Sequence, residues 1–179
     1  MLTLLLTPAL AGCTASASAE LPTPSQSPVP AAAVLWTRLA HACPELTSPA
    51  ARAFGVAGPG RPTKEHRADR DVLVVDCAWR AGGAYGTAVT VRMSIHRTQA
   101  AATAQWQVVT AGQERKILRA GGEAYSAVEV PALVIRARSH NAVATVRLVI
   151  PEEAASEERF EELRPAAAEI TRDVFDDLR

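Results

Sequence analysis

Several things this sequence has little of narrow its function before any motif is considered. After the first ten residues no apolar stretch approaches the roughly 20 residues that a spanning helix needs, because charges interrupt every candidate. Neither sign of charge is in excess, with 19 acids balancing 19 bases, so no net field exists to attract nucleic acid or an acidic lipid surface. Aromatics make up only 4% of the chain. The three cysteines include no Cys-x-x-Cys or Cys-x-x-His pair, which argues against structural zinc. The four histidines, His41, His66, His96 and His140, show no metal-ligand spacing such as His-x-x-x-His. Neither Ser94 nor Ser126 sits in a Gly-x-Ser-x-Gly elbow. The glycines around Gly58 lack the spacing of a phosphate-binding loop. No metal, cofactor, nucleic acid or catalytic set is therefore expected.

What is present begins at the N-terminus. Leu2 to Leu10 is an apolar run that ends in Leu10-Ala11-Gly12-Cys13. Secretory signals combine a basic start, an apolar core of about 7–15 residues and small residues at the cleavage site. The last two are here. The basic start is not, since the first positive charge is Arg38, and a translation start upstream of Met1 is the simplest account. Leu-Ala-Gly-Cys resembles the lipobox of bacterial lipoproteins. The resemblance implies residues 1–12 as a signal peptide, with Cys13 the mature N-terminus carrying a diacylglyceryl thioether. Each buried methylene contributes about 0.8 kcal/mol, and two chains hold where one holds only marginally. An ordinary cleaved signal and an uncleaved N-terminal anchor are the alternatives. On the lipobox reading the protein is located on the extracytoplasmic side of the cell membrane.

Residues 13–31 are rich in Ser, Ala and Pro, with four prolines between Pro22 and Pro30. Such a composition cannot bury a core and reads as an extended tether. Residues 32–179 have the length of one domain. Cys43 and Cys77 are the cysteines left after Cys13. In an oxidising compartment they would pair; in the cytosol they would be two buried thiols.

Within the domain, Leu35, Leu39 and Ala42 recur at helical spacing and predict a helix over 32–42. Ser48 followed by Pro49 predicts a second helix ending at Gly55. Residues 58–70 read as a polar connection. Strands are expected over 72–80 and 87–96, joined by a turn at 81–86. The second alternates Val89, Val91, Met93 and Ile95 against Thr90, Arg92, Ser94 and His96, so one face meets the core and the other is open to water. Thr98 caps a helix running to Ala111. A short strand starts near Ala124, and Ser139-His140-Asn141 links strands over 133–138 and 141–150. Ser156 caps the last helix, Glu157 and Glu158 suit the positive end of its dipole, and Pro165 kinks or restarts it. Ala167, Ile170, Val174 and Leu178 form its buried stripe. Antiparallel hairpins interleaved with helices make an α+β fold, a sheet packed against helices as an α/β sandwich.

Cys43-Pro44-Glu45-Leu46, Asp76-Cys77-Ala78-Trp79, Gly121 to Tyr125, the segment from Arg136 through Asn141 to Val143, and the C-terminal helix together resemble uncharacterised actinobacterial lipoproteins. They are also similar to the extracellular sensor modules of actinobacterial kinases. The resemblance implies a Cys43–Cys77 bridge and an α/β sandwich, and it implies no catalytic residues. The sequence departs from that pattern in the basic stretch from Lys64 to Arg70. Candidate ligand-facing residues are few. Trp79 either packs on the bridge as core or floors a cleft. Arg136 and Arg138 share a strand face and, with Arg147 on the neighbouring strand, would offer a basic patch to an anion or cell-wall polymer; ordinary solvation of the sheet is the alternative. The glutamates at 152, 153, 157, 158, 161 and 162 read as a solvated helix face rather than acid/base carboxylates. The expected function is a lipid-anchored, non-catalytic binding or accessory module whose partner is an unidentified protein or envelope ligand; an exported hydrolase or lipid carrier is the alternative.

Overall fold

The computed structural model describes residues 35–64, 67–81, 88–112, 116–120 and 122–179. The described residues all belong to the unit Ala33–Arg179. The signal peptide, Cys13, the tether, the first residues of the helix expected over 32–42, most of the turn expected at 81–86, His66 and Gly121 lie outside the described residues.

In chain order the elements are β1 (Glu45–Leu46), α1 (Pro49–Ala53), β2 (Gly58–Pro59), β3 (Arg61–Pro62), β4 (Arg67–Ala68), β5 (Val72–Arg80) and β6 (Ala88–His96). They continue with α2 (Gln99–Thr110), β7 (Lys116–Arg119), β8 (Glu123–Glu129), β9 (Ala132–Ser139), β10 (Ala142–Val149) and, after a 3₁₀ turn at Glu152–Ala154, α3 (Glu157–Asp176). The main sheet is ordered β3-β5-β6-β10-β9-β8-β7, with β4 also pairing β5. Every pairing in it is antiparallel. This is the α+β fold with helices packed on an antiparallel sheet.

Side-chain alternation decides the two faces. Val75, Cys77 and Trp79 of β5, Val89 to Ile95 of β6 at every second position, Leu133 and Ile135 of β9, and Val146 and Leu148 of β10 are buried in one cluster. Phe160, Leu163, Ala167, Ile170 and Val174 of α3 close over it. Fully burying one such Leu, Ile or Phe side chain stabilises by roughly 1.5–3 kcal/mol. Pro165 does not end α3, which runs as one helix from Glu157 to Asp176. Core residues on both sides of the proline hold the two segments to the same sheet face, and that packing outweighs the hydrogen bond the proline removes.

The opposite face is only partly open. Following β6, the chain has to travel from mid-sheet to the far edge, where β7 lies. It does so through α2, which packs across β6, β10 and β9. Ala102 and Trp106 bury against Val143, and Trp106 stacks on Tyr125 with ring centroids 5.4 Å apart. Ser94, expected at a watery face, is buried here and accepts a 3.3 Å hydrogen bond from Gln105.

The helix expected over 32–42 does not form within the described residues. Leu39 instead bridges Leu178, Thr37 N–H donates to Arg179 O at 2.8 Å, and Arg179 N–H returns to Arg38 O at 2.9 Å. Asn141, 1% exposed, ties the same segment down: its Oδ1 accepts from Trp36 N–H at 3.0 Å and its amide donates to Trp36 O at 2.7 Å. The polar connection at 58–70 also carries short strands, since β2 pairs β1 while β3 and β4 pair β5. The helix expected after Ser48 forms as α1; Ser48 Oγ accepts from Ala51 N–H at 3.2 Å and Gly55 takes φ 67°.

Candidate functional site

Cys43 and Cys77 form a disulfide, with Cα atoms 5.9 Å apart and both side chains buried. It joins the segment leading into β1 to the middle of β5. Trp79, two residues beyond Cys77, lies on the same sheet face in the core cluster and is 5% exposed. Its indole N–H donates to Gly58 O at 2.9 Å. Gly60 covers the six-membered ring so closely that an added Cβ would lie 2.4 Å from Cζ2. A hollow of about 540 Å³ opens beside this indole, with Val56, Arg61 and Arg80 in its lining. Trp79 presents little surface to it.

Arg136 and Arg138 do share a face, the one α2 partly covers, but each has its own carboxylate. Arg136 Nη2 lies 2.7 Å from Glu129 Oε1, and Arg147 Nη1 lies 2.6 Å from Glu129 Oε2. The Arg136 hydrogen bond, with that from Arg147, holds the Glu129 carboxyl below the usual carboxylate range against the opposing effect of burial. Arg138 is held apart from these two: its Nε donates to Glu123 Oε2 at 3.0 Å, and its Nη1 donates to the Thr103 hydroxyl of α2. Structure thus joins Arg136 and Arg147 through one glutamate and uses Arg138 to fasten a helix. On the uncovered part of this face, Arg92 and Arg147 flank a shallow trough of about 290 Å³ that also presents the hydroxyls of Thr63, Thr90 and Thr145. Asp76 pairs with Arg92 there at 3.2 Å.

A third concavity lies on the α3 side of the sheet, between β8 and the start of α3, with a volume of about 480 Å³. That is in the range of small-molecule sites, about 300–1,000 Å³. Ser156 starts the helix by accepting from Arg159 N–H at 3.1 Å, and one turn later Phe160 is 1% exposed in the core. Opposite them, Val128 of β8 and Val130 in the β8–β9 turn are 40% and 67% exposed. Exposed apolar side chains gathered in a concavity are more informative than ones scattered over a surface.

A polar group borders this apolar lining. Arg164 makes a forked contact with Glu161, Nε to Oε2 at 2.8 Å and Nη2 to Oε1 at 3.1 Å. Lys116 Nζ bonds the same carboxylate, and Arg164 Nη1 donates to the Ser126 hydroxyl. Ser126 is 2% exposed and its hydroxyl donates to Lys116 O at 3.4 Å. The Arg164 hydrogen bond, followed by that from Lys116, holds Glu161 down at about 2. At neutral pH two cations on one ionised carboxylate leave a positive charge over. Sequence reasoning did not find this group. Glu161 reads there as part of a solvated face, and Lys116 belongs to an edge strand of four residues with no clear alternation. The one available signal was Arg164 three residues after Glu161, on the same side of a helix.

The three described histidines are individually engaged. His41 Nδ1 lies 2.7 Å from Asp177 Oδ1, His96 bonds Gln105, and His140 meets the Trp36 ring edge-on with centroids 4.7 Å apart. Among the described residues, no cluster of three or more His, Cys, Asp or Glu side chains has the arrangement of a metal site, and no helix is long and apolar enough to cross a membrane. No protein-family model matches the chain, and no curated protein or solved structure matches it either.

Proposed function

We propose that the chain is a lipid-anchored extracytoplasmic binding or accessory module, held to the cell membrane through a diacylglyceryl group on Cys13. The observation that carries this reading is the buried Cys43–Cys77 bridge. Disulfides form and persist in oxidising compartments and are rare in cytosolic proteins, so the bridge supports export, which Leu10-Ala11-Gly12-Cys13 also predicts. The same sequence features motivate the likeness to actinobacterial lipoproteins and kinase sensor modules. A module of this kind acts by binding, with a protein or an envelope ligand as its partner.

A second reading, a small-molecule or lipid carrier, is favoured by one observation, the groove of about 480 Å³ with exposed Val128 and Val130 in its lining. Anchored module and carrier are compatible, because a tethered domain can hold a ligand at a membrane.

The anchor is tested by fractionating bacteria that express the full chain or its Cys13→Ala variant. By intact mass, the parent chain in the membrane fraction is expected to lack residues 1–12 and to carry a diacylglyceryl group, and the variant is expected to keep residues 1–12 and to carry none. A parent chain without that added mass, or a variant of the same processed mass as the parent, would remove lipidation of Cys13 from the account.

A further inference from the structure

We propose that the groove between β8 and α3 binds a single-chain amphiphile with an anionic head, of the long-chain carboxylate class. This rests on reading the domain as a binding module, but not on the lipid at Cys13.

The lining is ordered along its length. At one end Ser126, Arg164 and Lys116 meet around Glu161. From Ser126 the strand runs through Val128 to the turn at Val130, and four residues of extended chain cover about 13 Å. Along the facing helix, Phe160 and then Glu157 lead away from Arg164. Glu157 is seven residues before it, which places this exposed acid about 10 Å off along the axis. The acid therefore lies at the far end and leaves the positive charge beside Ser126 uncancelled.

A ligand that fits this order has a compact anion at one end and an unbranched apolar body. The head would take hydrogen bonds from Lys116 Nζ, whose side chain is 58% exposed and free to swing from Glu161 towards a new carboxylate. Arg164 would stay fixed by its fork to Glu161, supplying charge rather than movement. Such charge-assisted hydrogen bonds are roughly twice as strong as neutral ones. The body would cover Val128 and Val130, whose exposure has no other account in the fold. A neutral chain gains only the second contribution, and a cationic chain meets repulsion in the first.

The experiment uses the full chain carrying Cys13→Ala, so that no lipid of its own competes, and calorimetric titration with dodecanoate below its micelle-forming concentration. Dodecanol and dodecylammonium are the comparison ligands. Dodecanoate is expected to bind at one site, with dodecylammonium weaker by about tenfold or more, a difference worth about 1.4 kcal/mol. Lys116→Gln should weaken dodecanoate by about tenfold and leave dodecanol unchanged. Val130→Ser should weaken both. Val130 is exposed, so Val130→Ser should keep the parent melting temperature, whereas Lys116→Gln removes one of the two cations paired with Glu161 and should lower it only slightly; both are measured alongside.

Three results would overturn the assignment: no binding of dodecanoate, binding indifferent to head-group charge and to both substitutions, or association only with phosphatidylglycerol vesicles and never with monomeric dodecanoate. The last would make the patch a membrane contact. A chain that fractionates as an anchored lipoprotein yet ignores dodecanoate would remove this ligand and leave the anchored module standing.

Discussion

Gly60 shows how much of the domain rests on single close approaches. Its missing side chain lets the 58–60 segment lie on Trp79, and a Cβ would intrude to 2.4 Å of the indole. Overpacking of a filled core typically costs about 1–3 kcal/mol, so Gly60→Ala should lower the unfolding free energy by that amount in urea titration. The Trp79 environment was half legible: burial beside Cys77 follows from strand alternation, but cover by Gly58 and Gly60 comes from β2 and its junction with β3, which polar, proline-containing sequence conceals. Glu161 makes a second test at this scale. Its carboxyl is held at about 2 against an ordinary 4.5, chiefly by Arg164 and then by Lys116. Because the folded-state value is depressed, its stabilisation is fully present above about pH 4.5 and is lost as the pH falls towards 2. Glu161→Gln should therefore reduce stability at neutral pH, and the gap to the parent protein should close across that acid window in denaturant titrations. A gap independent of pH would show that the pairs with Arg164 and Lys116 do not act through charge.

At the level of elements, strong local patterns survived and non-local pairing overrode weak ones. β5 and β6 follow their alternation, and α1, α2 and α3 begin at the expected caps Ser48, Thr98 and Ser156. The segment around Leu35, Leu39 and Ala42 has helical spacing, yet its backbone N–H groups find partners in Asp177 and Arg179 at the end of the chain. No local pattern can reveal a partner so distant in sequence. The same applies to Arg136, Arg138 and Arg147. Their clustering is readable from register, whereas Glu123 and Glu129, which pair them, come from β8 across the sheet. α2 is the element whose position follows least from its own composition and most from topology, since the chain must cross from β6 to the β7 edge. Trp106 is its main anchor on that face. Trp106→Ala should cost about 3 kcal/mol, the low end for a buried Trp→Ala. Hydrogen exchange should rise over Gln99–Thr110 and stay slow in β5 and β6. Uniform acceleration across the sheet would instead make α2 part of a single cooperative core.

Over the whole molecule, two long-range ties close the fold: the last residues pair with the segment at 37–40, and Cys43–Cys77 bridges a sequence separation of 34. On the chain-entropy model a loop of that length stabilises by roughly 3–4 kcal/mol, a large share of the 5–15 kcal/mol typical of a domain. Reduced protein, or the Cys43→Ser, Cys77→Ser double variant, should lose that much in equilibrium unfolding. A loss below about 1 kcal/mol would mean that the bridge is not a condition of folding. The bridge also supports the proposed anchoring, because an oxidising compartment is what Leu10-Ala11-Gly12-Cys13 predicts. The anchored-module account is tested most directly by the intact mass of the full chain recovered from bacterial membranes. The account predicts a chain beginning at Cys13, heavier than its polypeptide by a diacylglyceryl group and lighter by two hydrogens for the closed bridge. A chain recovered from the soluble fraction with Cys13 unmodified, or a membrane-bound chain that still carries residues 1–12, would contradict it.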